Sequence, residues 1–232
     1  MDVPLYDDLD GQVALVTGAT RGIGKQIAAN LATAGATVYA GARDPADIIA
    51  YTQRPIELDV TEESEITAAI DRIDDEAGRL DILVNNAGVM DSRESLAEMP
   101  ADVIEATLGT NLYGPVLLSK YALSLLLNRS GGRVVNVSSG LGQITDSQSG
   151  GMPAYRISKT GLNGLTKYLH GEYYDDGLIA NSVCPGYVQT DMTRGSAPRT
   201  PQEGAETPTW LARFKPEAPS GRFWRDKHQI EW

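Results

Sequence analysis

The sequence is short of several things, and each shortage removes a class of protein. It holds a single cysteine, Cys184, in 232 residues. One cysteine makes no internal disulfide, so the chain reads as a protein of a reducing interior, and a cytoplasmic location is expected. No apolar run approaches the ~20 residues of a membrane-spanning helix. The opening stretch, MDVPLYDDLDG (1–11), is acidic and lacks the basic start of a secretory signal. Positive charge is scarce: 20 Lys plus Arg stand against 31 Asp plus Glu, for a net charge of -11. That balance argues against nucleic acid or an anionic membrane as partner. Lysine is the scarcer base, with 6 against 14 Arg. Two readings fit this skew: ordinary drift in a GC-rich genome, or adaptation to high salt, where acidic, lysine-poor surfaces stay hydrated. The only histidines, His170 and His228, lie in no Cys or carboxylate pattern with metal-ligand spacing, so no metal is expected.

Linkers, repeats and low-complexity tracts are missing too, and one domain over 1–232 is expected. What fills the chain is an alternation of apolar runs and helical patterns. QVALVTG (12–18), TVYAGA (37–42), IELDV (56–60), DILVNNAG (81–88), VVNVSS (134–139) and LIANSVCPG (178–186) read as strands, with GRFW (221–224) as a seventh. Between them fall helices over about 22–34, 62–78 with Thr61 as N-cap, 101–127, and from about 153. Thr200, Pro201 and Glu203 form a capping box that opens a further short helix, and the polar 191–200 before it reads as a mobile loop. Near-continuous apolar strands separated by helices imply a parallel sheet covered on both faces. Right-handed crossovers make it an α/β, Rossmann-type doubly wound sheet of about seven strands.

VTGATRGIG follows the first strand and opens the first helix. Its Gly18, Gly22 and Gly24 permit a tight turn and the close approach of a pyrophosphate to the helix N-terminus. The second strand ends in YAGARDP. Where an NAD enzyme places an acidic residue for the ribose 2′-hydroxyl, this chain has Ala42 and then Arg43, with Asp44 late. Arg43, with Arg21 inside the glycine-rich turn, suits a 2′-phosphate, which predicts NADP(H) over NAD(H). Asp59, after the third strand, either accepts from an adenine amino group or caps the following helix.

GMPAYRISKTGLNG (151–164) sets Tyr155 and Lys159 four apart, on one face of a helix. Phenol titrates near 10, so a tyrosine acts as an acid or base at neutral pH only when a nearby cation lowers that value. Lys159 supplies the cation. Ser138 and Ser139 end the fifth strand just upstream.

Taken together, TGATRGIG (17–24), LDV (58–60), NNAG (85–88), Asn111 in GTNLYG, VNVSSGLG (135–142), Tyr155-x-x-x-Lys159 and PGYVQTDM (185–192) resemble the short-chain dehydrogenase/reductase family over nearly the whole chain. The segments TPQEGAETPTWLA and GRFWRDKHQIEW add a looser likeness to NADPH-dependent carbonyl reductases. The resemblance implies named roles. Tyr155 is the general acid to the carbonyl oxygen. Ser139, followed by two residues and Gly142, hydrogen-bonds that oxygen. Lys159 holds the nicotinamide ribose and lowers the tyrosine pKa, and Asn111 anchors a water that relays protons to Lys159. The cofactor set is Gly18, Thr20, Arg21, Gly22, Ile23, Gly24, Arg43, Asp59, Val60, Asn86, Ala87, Gly88, Tyr155, Lys159, Pro185, Gly186, Val188 and Thr190.

The implied activity is hydride transfer between NADP(H) and a small ketone, aldehyde or secondary alcohol. A rival is a 3-oxoacyl-(acyl-carrier-protein) reductase, although a net charge of -11 suits an acidic carrier badly. A non-catalytic NADP(H) sensor is a further alternative, and the intact Ser, Tyr and Lys speak against it. Only fifteen residues, 140–154, separate Ser139 from Tyr155. That is too few for the insertion of the monomeric carbonyl reductases, so a homodimer or homotetramer is expected. Tyr173 and Tyr174 are candidate subunit contacts. A short loop after Thr190 implies an open pocket, with broad carbonyl tolerance or a bulky substrate. Cys184 reads as a small buried apolar residue, and Trp210, Trp224 and Trp232 as core or interface aromatics.

Overall fold

The computed structural model describes residues 3–49, 52–90, 94–145 and 150–232. Eight strands form one sheet: β1 (Val13–Thr17), β2 (Thr37–Ala42), β3 (Gln53–Glu57), β4 (Ile82–Asn85), β5 (Arg133–Val137), β6 (Ile179–Val183), β7 (Arg222–Arg225) and β8 (His228–Ile230). Their order is β3-β2-β1-β4-β5-β6-β7-β8. Every pairing is parallel except β7 with β8, which is antiparallel. Among the described residues the α-helices are α1 (Gly22–Thr33), α2 (Glu63–Ala77), α3 (Ala101–Leu108), α4 (Gly114–Leu126), α5 (Pro153–Tyr173) and α6 (Pro201–Ala212).

Strand alternation sorts the core into two layers. Ala14 and Val16 of β1 face Ile27 and Leu31 of α1 and Leu211 of α6. Val13 and Leu15 face Ile66 and Ile73 of α2, Leu118 of α4 and Leu169 of α5. Burial on both faces explains why these strands read as apolar runs. Winding starts at β1, goes out to β3, then returns to β4 on the other side of β1. The reversal opens a crevice between the carboxyl ends of β1 and β4, where open α/β sheets bind ligands.

Several boundaries differ from the sequence reading, each for a local reason. β3 lies at Gln53–Glu57 rather than 56–60. It is an edge strand, so only Ile56 is buried, and Pro55 is tolerated. Its shift leaves LDV (58–60) beyond the strand, on the ligand edge. The N-cap position of α2 is Glu62, not Thr61, and its side chain makes no capping hydrogen bond. The Thr61 N–H and hydroxyl both donate to Asp59 Oδ1, at 2.9 and 2.7 Å, so Thr61 belongs to the preceding turn. The single helix expected over 101–127 is broken at Gly109–Tyr113 by a π-turn that carries Asn111. Such turns concentrate at functional sites. β8 is polar and three residues long, with no period to betray it.

The Thr200–Glu203 capping box is present. The segment 191–200 carries local structure. It opens with a short 3-10 turn at Asp191–Thr193 and returns to Val188 through the Gln189 N–H to Arg199 carbonyl bond of 2.8 Å. Trp210 and Trp224 stack edge-on with Phe214, and Trp232 lies flat on Phe223.

Candidate active site

One cavity of about 1070 Å³ runs along the carboxyl edge of the sheet. Every residue of the expected cofactor set lines it, and so does Ser139; Asn111 does not. The volume exceeds the usual 300–1,000 Å³ of a small-ligand site, which leaves room for a dinucleotide beside a substrate.

The dinucleotide end is built from the β1–α1 turn. Gly18 and Gly22 take φ of 64° and 55°, which a side chain would strain. Gly24 is packed so tightly that a Cβ would come within 2.2 Å of the Gly18 carbonyl oxygen. Helix α1 receives no side-chain cap from Arg21 and has no acidic residue in its first turn. Its positive end and open N–H groups therefore face the cavity, a setting that suits a phosphate. NNAG locks this turn in place. Thr17 Oγ1 accepts from the Asn86 and Ala87 N–H groups at 2.9 Å each, and Asn86 Nδ2 donates to the Thr17 carbonyl at 2.9 Å. Asn86 thus braces the turn through its side chain.

Arg43 is exposed on the cavity rim, and neighbouring Asp44 is spent capping the Ala46 N–H at 2.9 Å. Arg21 is not free: its Nε lies 3.1 Å from Asp191 Oδ2, an exposed pair that joins the glycine-rich turn to the loop after β6. Asp59 keeps its backbone place on the wall, with Oδ1 committed to Thr61. The glycine cradle, the uncapped helix end and the exposed Arg43 all fit a phosphorylated dinucleotide.

At the chemical end, α5 begins at Pro153 and carries Tyr155 and Lys159 one turn apart. Lys159 is buried. Its Nζ donates to the Val137 carbonyl at 2.8 Å and sits 5.7 Å from the centre of the Tyr155 ring. Burial pushes its ammonium down to about 8. Burial also pushes the Tyr155 phenol up to about 12, opposed by a hydrogen bond from Ser139 and reinforced by Cys184. The lowering expected from Lys159 is not among the influences on the phenol, and burial decides its direction. Desolvation disfavours the phenolate, and the ammonium is turned to a carbonyl. The tyrosine stands protonated, in the state an acid needs. Ser138 is buried with its Oγ on the Lys159 carbonyl at 3.2 Å, so it holds α5 against β5, while Ser139 is the serine that reaches the phenol.

Asn111 is fully buried behind the cavity wall. Its carboxamide pairs with the Val89 backbone, accepting at 2.8 Å and donating at 2.9 Å, and donates to Ser158 Oγ at 3.1 Å. It ties the loop after β4 to α5. A Cβ on Gly88 would lie 3.3 Å from Asn111 Oδ1 and 3.5 Å from Lys159 Nζ, so only glycine leaves the gap between them open. Cys184 is buried but not inert. Its sulfur accepts from the Gly140 N–H at 3.2 Å and from Arg225 Nη2 at 3.3 Å, linking the ends of β5, β6 and β7 beneath Ser139.

Sequence reasoning did not single out Asp191, Glu105, Met90, Met152 or Met192 as wall residues. Their only signal is adjacency to the motifs. Among the described residues no group of His, Cys, Asp or Glu gathers as a metal site, and no helix is long and apolar enough to cross a membrane.

A family model described as short chain dehydrogenase matches residues 12–200. The 3-oxoacyl-(acyl-carrier-protein) reductase FabG of Vibrio harveyi is 37% identical over 194 residues, which cover 81% of this chain and 78% of that protein. The NADPH-bound carbonyl reductase from chicken fatty liver is 25% identical, with a TM-score of 0.85 over 97% of this chain and 96% of that one. A gluconate 5-dehydrogenase from Burkholderia cenocepacia, crystallised with NADP and tartrate, is 27% identical, with a TM-score of 0.80 over 89% of each chain.

Proposed function

This chain belongs to the short-chain dehydrogenase/reductase family, and we propose that within it the protein is an NADP(H)-dependent carbonyl reductase, acting in reverse as an alcohol dehydrogenase. One observation carries the reading. Ser139, Tyr155 and Lys159 line the same cavity as Arg21 and Arg43, so proton donor and 2′-phosphate cations serve one ligand set.

Gly18, Gly22 and the start of α1 would hold the pyrophosphate. Arg43, and Arg21 once released from Asp191, would hold the 2′-phosphate. Lys159 would hold the nicotinamide ribose. The bound cofactor supplies the hydride that reduces the carbonyl carbon. Tyr155 gives its phenolic proton to the carbonyl oxygen, and the Ser139 hydroxyl donates to that same oxygen and orients it. Lys159 carries positive charge next to the phenolate left behind. Asn111 ties α5 to the loop after β4 through Ser158 and Val89, and from there would anchor a relay water. The substrate is a small carbonyl compound or secondary alcohol, and the working unit is a homo-oligomer.

The FabG relative favours a second reading, reduction of a 3-oxoacyl thioester on a carrier protein. A carbonyl panel with each cofactor separates the two. NADPH is expected to be oxidised faster than NADH, and Tyr155→Phe to lower turnover by about 10² to 10⁴-fold while the cofactor still binds. Faster NADH oxidation would overturn the cofactor assignment, and an active Tyr155→Phe protein would overturn the proton donor.

A further inference from the structure

The β7–β8 hairpin carries little apolar pattern, yet it touches two segments that border the site. Resting on the reductase reading, we infer that Arg225 and Asp226, neighbours at the hairpin tip, are positioning residues for that reaction. Arg225 fixes the turn that carries Ser139. Asp226 fixes the strap after β6, with the expected cofactor residues Gly186, Val188 and Thr190. Phe223, Trp224 and Arg225 pair antiparallel with Ile230, Gln229 and His228, so Asp226 and Lys227 alone make the hairpin turn. Both take left-handed backbone, at φ 50° and 61°. A two-residue turn of this hand demands positive φ at both places, and aspartate tolerates it. The hairpin thereby delivers two adjacent charged side chains to two different segments.

Arg225 works on the Ser139 side. Its Nη2 donates to Cys184 Sγ at 3.3 Å, and the same sulfur accepts from the Gly140 N–H at 3.2 Å. Sulfur is a weak acceptor, and a charged donor strengthens the bond. The guanidinium is seated so close to Gly140 that a Cβ there would come within 2.4 Å of Nη2. Gly140 directly follows Ser139, whose Oγ accepts from the Leu141 N–H at 3.1 Å within the same turn. Ser139 bonds the Tyr155 phenol, and the Cys184 sulfur acts on that phenol as well. Just past β8, the Trp232 main-chain oxygen accepts from the Ile144 and Thr145 N–H groups at 2.9 and 2.8 Å. The hairpin therefore holds the segment after Ser139 at two points, and a reacting hydroxyl is only as well placed as the residues behind it.

Asp226 works on the other side. Its Oδ1 accepts from Arg199 Nη1 at 2.6 Å, a charge-assisted bond between side chains 55% and 26% exposed. Arg199 is the clasp of the strap. Its backbone bridges Val188, its carbonyl accepts from the Gln189 N–H at 2.8 Å, and its Nη2 donates to the Glu203 carbonyl at 3.3 Å. Its side chain also lies against Gly186, at φ 84°, where a Cβ would come within 2.8 Å of Nη1. Gly186, Val188, Gln189 and Thr190 line the cavity. Without its carboxylate partner the guanidinium can swing away from Gly186, and the strap loses its backing.

The test uses the whole chain. NADPH binding is read by fluorescence titration, which needs no substrate, and turnover on whichever carbonyl of the panel the unmodified protein reduces fastest. Arg225→Met should lower kcat by about 10-fold or more with NADPH affinity nearly unchanged. Asp226→Asn should weaken NADPH binding by about 3- to 5-fold with kcat at saturating cofactor nearly unchanged. Arg225→Lys, which keeps a charged donor, should recover part of the lost kcat, and it serves if the methionine variant does not fold. Lys227→Gly relieves the turn backbone and touches neither grip, so both constants should stay as they are. The split between neighbouring residues is decisive, because a loosened fold lowers both constants together. Equal losses of kcat and affinity in each variant, the opposite split, or neither constant changed whatever the urea resistance would overturn the inference. NADPH bound with no carbonyl reduced would overturn the reductase reading instead, and the NADPH affinities of Arg225→Met and Asp226→Asn would still decide this one.

Discussion

Lys159 is nearly inaccessible, yet its role asks for a positive charge, and the two demands conflict. Burial holds its folded value at about 8, below its ordinary 10.5. Between those values the unfolded chain binds more protons than the folded one, so stability rises with pH across that window. The penalty is present in full below pH 8. Its size is about 3 kcal/mol at one pKa unit per 1.36 kcal/mol. Lys159→Met removes it. The variant is expected to be more resistant to urea than the unmodified protein at pH 7, and the gap should narrow toward pH 10. A gap that stays constant with pH would show that Lys159 keeps its charge at no cost. Tyr155 and Lys159 were readable as a pair because helical spacing alone puts them on one face. That burial lifts the phenol instead of lowering it was not readable. Desolvation depends on the surrounding walls, and the charge effect on Cys184, both brought from segments distant in sequence.

At the level of elements, glycines decide which segments touch. Gly24 lets α1 rest on the turn that it caps: an added Cβ would meet the Gly18 oxygen at 2.2 Å and Asn86 Nδ2 at 2.3 Å. Gly24→Ala must push helix from strand, and a loss of about 2 kcal/mol with weakened NADPH binding is expected in urea melts and cofactor titrations. Gly164, in the exposed interior of α5, has nothing within 4 Å of its absent Cβ. Gly164→Ala should stabilise by about 0.5–1 kcal/mol through helix propensity and leave cofactor binding alone. Similar effects from both would refute the packing account. Strand and helix identities came through in the sequence because burial on two faces writes continuous apolar runs. The edge elements did not: β3 and β8 bury little and so carry little pattern. The π-turn at Asn111 was hidden as well, because no residue type in GTNLY marks such a turn and the helical pattern on either side of it runs on.

Across the whole molecule, the sheet order separates two jobs. Arg43 follows β2, on one side of the crevice, while Tyr155 stands on α5 beyond β5. Changing one end should leave the other intact. Arg43→Asp is expected to raise KM for NADPH by 10-fold or more and to favour NADH, with kcat at saturating cofactor nearly unchanged. An unaltered cofactor ratio would transfer the role to Arg21. Because Arg43 is exposed, its grip on a phosphate is screened, and the NADPH preference should shrink as salt rises. The sequence by itself determined the alternating α/β order, the glycine turn, the Tyr–Lys spacing and the acidic surface, since each is written in residue type and local period. Only the tertiary structure decided that Arg21 is held by Asp191, that Cys184 is a hydrogen-bonded tie, and that burial governs the Tyr155 phenol. Those facts follow from which strand ends the winding reversal brings to one crevice, a long-range arrangement that no window of sequence contains.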